Sequence, residues 1–107
     1  MKVISSQRYI NYSIVADIIQ DMVDTDAKKI TLPVIDTGIQ DDAGDNLYIL
    51  IDGHHRYTAA RELGVMVVYE IDYRHEYARY AGSEDILIIA HMGDDYYYVD
   101  TGVNVWQ

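Results

Sequence analysis

The chain contains no cysteine and no phenylalanine, a single proline, and only 8 lysine and arginine side chains against 18 aspartates and glutamates. The missing cysteine excludes disulfides, thiolate metal sites and cysteine nucleophiles, and it fits a reducing compartment. The shortage of positive charge leaves a formal net charge of −10. A field of that sign repels phosphate, so direct nucleic-acid binding over the general surface is not expected, while a local basic site stays compatible with it. Long apolar runs are missing too. None approaches the roughly 20 residues of a membrane span, and Met1 to Ser6 lacks the apolar core of a signal peptide. These absences point to a cytoplasmic protein with no membrane contact.

What is present suits one folded domain. The 107 residues are 50% hydrophobic and 24% charged, more apolar material than a disordered chain carries and too few residues for two separate cores. With phenylalanine absent, 11 tyrosines and one tryptophan supply the aromatic rings. Tyrosine buries a ring and keeps a polar tip, so it serves either as core aromatic or at an interface, including one between two copies of the chain in a homodimer.

Periodicity predicts the elements. Residues 3–10 read as a weak extended or loop segment. Asn11 to Ser13 offers helix caps, and Ile14, Ile18 and Met22 with Val15, Ile19 and Val23 repeat at helical spacing through Asp24. Ile30 to Ile35 reads as a strand whose Pro33 belongs either at a sheet edge or where its missing N–H faces no partner. Asp36 to Asn46 reads as a loop rich in glycine and aspartate. Leu47 to Ile51 is apolar on both faces and predicts a central strand. A helix follows from His54 or His55 to Leu63, with Gly64 as its left-handed end. Val65 to Ile71 is a strand, and Tyr73 to Tyr80 a short helix with Tyr73, Tyr77 and Tyr80 on one side. Ile86 to Ala90 reads as a strand, and Tyr96 to Val99 with Val103 to Trp106 as a hairpin about Asp100-Thr101-Gly102. The expected class is α+β: one compact domain over 1–107, a mixed sheet with two or three helices and a C-terminal β-hairpin.

The segment Asp52-Gly53-His54-His55-Arg56-Tyr57-Thr58-Ala59-Ala60 carries the chemistry. It joins a buried strand to a helix through one glycine, placing helix-start N–H groups and the positive end of the helix dipole together. Gly53 permits close approach to the backbone, and Arg56 in the first turn adds a forked cationic donor, so the segment has the parts of a phosphate or carboxylate site. Each residue also has a structural role open to it. Asp52 either caps the helix or acts as a general base or magnesium ligand. Arg56 either binds the anion or pairs with a nearby aspartate. Adjacent histidines point in different directions, which argues against His54 and His55 as a metal pair.

This stretch, continued by Glu62-Leu63-Gly64, resembles the signature of the ParB/sulfiredoxin superfamily, in which a Gly-x-x-Arg-x-x-Ala core opens a helix after a strand. The element order over roughly residues 3–72 is similar, and the Asp-Gly-His-His-Arg form is most like the free serine kinase branch. The resemblance implies a ParB/sulfiredoxin-like fold that binds a nucleotide (ATP, ADP or CTP, with Mg²⁺) or a phosphorylated small molecule. Gly53, His54, His55 and Arg56 would contact phosphate, and Thr58 either adds a hydroxyl donor there or bonds to its own helix backbone. Asp52 and His55 would be catalytic, in phosphoryl transfer or hydrolysis as a kinase-like phosphotransferase or nucleotide hydrolase. Departures limit it: His54 stands where sulfiredoxin has its catalytic cysteine, which excludes sulfinic-acid repair, and the part after Asp72 does not read as the DNA reader of partitioning proteins. The acidic residue of the kinase branch has no counterpart that aligns; Asp17 and Asp21 are candidates.

A second function class rests on the tail. Glu84, Asp85, Asp94, Asp95 and Asp100 fall in a stretch without lysine or arginine, densest from Met92 to Asp100. As a strand, 96–99 would put Tyr96 and Tyr98 on one side. Asp94, Asp95, Tyr96, Tyr98 and Asp100 would then engage a basic protein partner, as a non-enzymatic DNA mimic engages a nucleic-acid-binding groove. Phage-encoded anti-defence and anti-CRISPR proteins are similar in size and charge. The bland alternative is a solvated surface that aids solubility. Asp94, Asp95 and Asp100 lack the spacing of a calcium loop, so any metal ligand set stays open.

Overall fold

The computed structural model describes residues 1–90 and 95–106. In chain order the elements are β1 (Lys2–Ser5), α1 (Tyr12–Asp24), β2 (Lys29–Gln40), β3 (Asn46–Leu50), α2 (His54–Leu63) and β4 (Met66–Ile71), then a 3₁₀ turn (Glu76–Tyr80), α3 (Asp85–Ile89) and β5 (Tyr97–Tyr98). The strands form one mixed five-stranded sheet in the order β4-β2-β3-β1-β5, so the domain is α+β. β1 runs parallel to β3 and β2 parallel to β4, while β2–β3 and β1–β5 are antiparallel. No helix among the described residues is long and apolar enough to cross a membrane.

Each face of the sheet carries its own core. On one, α1 and α2 lay Val15, Met22, Ala59 and Ala60 over Val3, Leu32, Val34 and Leu50. On the other, Ile4, Ile35, Leu47 and Ile49 pack with Ile86 and Tyr96, flanked by Tyr77, Tyr80 and Leu87. β3 is the middle strand and its Leu47, Ile49 and Leu50 are fully buried, which is why its sequence is apolar on both sides. α1 begins where Asn11 accepts the N–H groups of Ser13 and Ile14, a side-chain cap. Its buried stripe is narrower than the periodicity implies, because Ile14 and Val23 are exposed.

Pro33 does not lie at an edge, since β2 sits between β4 and β3. Val34 pairs with Leu50 at the end of β3, leaving Pro33 one residue beyond that ladder. Val34 C=O accepts the Asp72 N–H, so Val34 faces β4 and the missing donor of Pro33 faces the side where β3 has stopped. Proline is tolerated because no ladder bond is lost.

Three expectations change. The segment from Asp36 is strand rather than loop as far as Gln40. It is irregular, with a register shift between Asp36 and Gln40. Asp36 Oδ1 accepts Gly38 N–H and Asn46 Nδ2–H, and the Thr37 hydroxyl donates to Leu47 C=O at 2.8 Å. Aspartate and glycine here mark a bulge within a strand. The 86–90 segment is helical rather than extended, within α3: Ser83 Oγ accepts Asp85 N–H and Ser83 C=O accepts Ile86 N–H, so a turn at Ser83 with acids after it leads into a short helix despite its β-branched run. The 73–80 segment is a 3₁₀ turn over Glu76–Tyr80, leaving Tyr73 76% exposed and apart from Tyr77 and Tyr80. The C-terminal hairpin is present: Tyr98 N–H donates to Val103 C=O and Val105 N–H to Tyr96 C=O, with Tyr97 bridged to Asn104.

Candidate functional site

β3 ends at Leu50, and the chain turns through Asp52 into Gly53, whose φ of 97° is left-handed. A Cβ at Gly53 would lie 2.9 Å from Leu32 Cδ2, and Leu32 is wholly buried. Both the backbone conformation and the packing therefore demand glycine. Gly53 C=O accepts Tyr57 N–H, the first helical bond, and among the described residues no side chain caps the helix. Asp52 Oδ1 accepts the Gly53 N–H at 2.8 Å, outside the helix. The start of α2 is thus without a carboxylate cap, and Asp52 is exposed beside it.

The two histidines diverge. His54 is 6% exposed and its Nε2 lies 2.6 Å from Ser5 Oγ at the end of β1. Ser5 Oγ also accepts Gln7 N–H. Ser5 is fully buried, so this hydroxyl–imidazole pair fastens β1 to α2 rather than presenting a nucleophile. His55 Nε2 accepts the Asn11 N–H at 3.0 Å. An imidazole nitrogen that accepts carries no proton, so Nδ1 holds it in the neutral ring. His55 is half-buried and ties the β1–α1 loop to the helix start. Tyr9 and Tyr12, on that loop and the first turn of α1, are 73% and 65% exposed.

The two arginines of α2 differ in the same way. Arg61 Nη1 donates to Tyr57 Oη and Asp100 C=O, and Tyr57 Oη donates to Val99 C=O, so Arg61 holds the hairpin against the helix. Arg56 is exposed, and among the described residues no hydrogen bond or ion pair engages it. Thr58 Oγ1 donates to His54 C=O at 2.9 Å, within the helix itself, the backbone bond common for a mid-helix threonine. Of the residues expected to contact phosphate, Gly53, His55 and Arg56 stand at the helix start, while the His54 ring and the Thr58 hydroxyl are turned to internal partners.

The tail is arranged otherwise than a displayed tyrosine face. Tyr96 is 6% exposed, packs edge-on to Trp106 at 6.4 Å, and donates its hydroxyl to Leu87 C=O. Burial pushes this phenol up to about 12. Tyr97 donates to Gln7 C=O. Tyr98 is half-buried and donates to Asp41 Oδ2 at 2.7 Å. Asp95 and Asp100 are exposed; Asp94 lies outside the described residues. Tyr96 and Tyr98 thus pack against the fold: hydroxyl tips let these rings pack and still reach backbone and carboxylate acceptors inside.

A cluster at the opposite end of β1 escapes sequence reasoning. Lys2 Nζ lies 3.1 Å from Asp41 Oδ2 and 2.7 Å from Asp45 Oδ2. Asp41 Oδ1 accepts the N–H groups of Ala43 and Asp45. The Tyr98 hydroxyl, the Asp45 N–H and Lys2 hold the Asp41 carboxyl down at about 2, against an ordinary 3.8. Lys2 is raised by the same carboxylates. Only the run of aspartates from 41 to 45 hinted at this, and it reads equally as a wet loop.

Among the described residues no group of three histidines, aspartates or glutamates is placed to hold a metal ion. No protein-family model, no curated protein and no solved structure matches the chain.

Proposed function

We propose that the chain binds the phosphate of a nucleotide or phosphorylated small molecule at the Asp52-Gly53-His54-His55-Arg56 turn. One observation carries the reading: among the described residues Arg56 is exposed and unengaged, in the first turn of a helix that none of their side chains caps and that starts from a left-handed glycine. Helix-start N–H groups and a guanidinium together favour an anion. The likeness to ParB/sulfiredoxin proteins supports the same site. In a phosphoryl transfer or hydrolysis there, the chain's part is to position and neutralise phosphate. Asp52 would accept the proton of an attacking hydroxyl or water, and His55 would hold a phosphate oxygen by a hydrogen bond from its Nδ1–H. The lack of cysteine supports a cytoplasmic setting.

A thermal-shift titration with ATP, ADP, CTP and pyrophosphate, each with and without Mg²⁺, tests the reading. Arg56→Ala should weaken the responding ligand by about 1.5–3 kcal/mol, roughly 10- to 100-fold in Kd, with unligated melting unchanged. Equal affinity in that variant would sink the assignment. The second reading, an acidic module for a basic protein, is favoured by the net charge of −10 and by exposed Asp95 and Asp100. It predicts no response to any nucleotide.

A further inference from the structure

β4 is the outer strand of the sheet, paired on one side only among the described residues. Met66 N–H donates to Lys28 C=O and Asp72 N–H to Val34 C=O. By strand alternation the even-numbered backbone groups face β2, so those of Val67, Tyr69 and Ile71 point away from the sheet. Such an edge is a template for one more strand. On the sheet face away from α1 and α2, β4 and β2 leave Met66 64% and Val68 38% exposed, with Thr31, Pro33 and Glu70 beside them. The second core covers the β3–β1 part of that face and does not reach these residues.

A groove of about 490 Å³ runs along this corner, lined by Thr31, Pro33, Glu70, Asp72, Tyr73 and Arg74. A second groove of about 350 Å³ shares Ile71, Asp72 and Tyr73 with it and extends to Asp36. Together they present three carboxylates (Asp36, Glu70 and Asp72) against one guanidinium, Arg74. Lys29 pairs with Met66 at the far end of the strand. Glu70 is exposed and no hydrogen bond or ion pair among the described residues engages it. Asp36 and Asp72 each have Oδ1 accepting a backbone N–H. Tyr73, 76% exposed, offers an aromatic face beside them, a surface that attracts cations.

We propose that this corner docks an extended, lysine- or arginine-bearing segment of another protein by strand addition to β4. Main-chain bonds to Val67, Tyr69 and Ile71 would supply affinity and register. Alternate side chains would lie over Met66 and Val68 and reach the carboxylates of the groove. A cationic occupant follows from those carboxylates and from the chain's net charge of −10, which steers basic partners in and opposes a second copy. The surface lies on a different strand from the α2 turn, and the inference stands whether or not that turn binds phosphate.

The test uses a fluorescent peptide of alternating lysine and valine, as long as β4, read by anisotropy at low and high salt. Two comparators are its glutamate–valine counterpart and the same lysine peptide N-methylated at alternate residues to remove one row of main-chain donors. We expect binding of the first alone, weakened roughly tenfold by Glu70→Lys with Asp72→Lys, far less by Asp17→Lys with Asp21→Lys on α1, which change the net charge equally, and not by Arg56→Ala. Amide exchange in the wild-type protein should slow at Val67, Tyr69 and Ile71. Equal binding of the N-methylated peptide, equal loss in the α1 charge reversals, or no binding at all would each overturn the proposal. So would a stable dimer by sedimentation with those three amides protected in the absence of peptide.

Discussion

Ser5 Oγ and His54 Nε2 meet at 2.6 Å across 49 residues of sequence, in the interior. The contact joins the last residue of the first strand to the first residue of the second helix. It makes the geometry of the α2 turn depend on the N-terminal strand. Ser5→Ala should cost about 1–3 kcal/mol, the range for breaking a buried polar pair, read as a lower urea midpoint at unchanged slope. Loss of ligand response at the α2 turn in a variant that remains folded would show that the pair also sets the site's shape.

Gly53→Ala combines two penalties. The residue must enter a left-handed conformation, costing roughly 1–2 kcal/mol, and its new methyl would press on Leu32 Cδ2 at 2.9 Å. Total destabilisation of about 2–4 kcal/mol is expected. Leu32→Ala in the same background should recover none of the conformational part. Chemical denaturation of both variants checks this, and a neutral Gly53→Ala would contradict the described turn.

The Asp41 carboxyl sets an acid dependence. Its folded value near 2 lies below the ordinary 3.8. The group therefore contributes stability that is complete above the ordinary value and is lost as pH falls through about 2. Wild-type protein should lose urea resistance across that window. Asp41→Asn should be weaker at neutral pH and flatter below pH 4, as tracked by midpoints at several pH values. An identical acid profile in the variant would remove Asp41 from the account.

How far the fold was legible depended on whether the deciding contact was local. α1 and α2 showed in the spacing of Val15 and Met22 and in Gly64, because a helix satisfies its own backbone. The central place of β3 showed in Leu47 and Ile49. Ile86 to Ala90 reads as a strand from its β-branching, and the turn at Ser83 that leads into the helix carries no periodic signal. Asp36 to Gln40 read as a loop because a bulge uses loop residues inside a strand. The glycine turn and Arg56 were visible as a motif. The inward aim of His54 was not, since Ser5 lies in a segment with almost no periodic signal, and the tyrosines of the tail found acceptors that no local pattern identifies.

The placement of β1 has a consequence in time. This strand is synthesised before both of its partners, β3 and β5, which lie more than 40 and 90 residues further on. An emerging chain must therefore carry Lys2–Ser5 unpaired until much later residues leave the ribosome, and it cannot complete the sheet by local steps. Long-range closure of this kind slows folding. A chain interrupted before the hairpin would leave the β5 side of β1 unpaired, an open edge of the kind that recruits other strands.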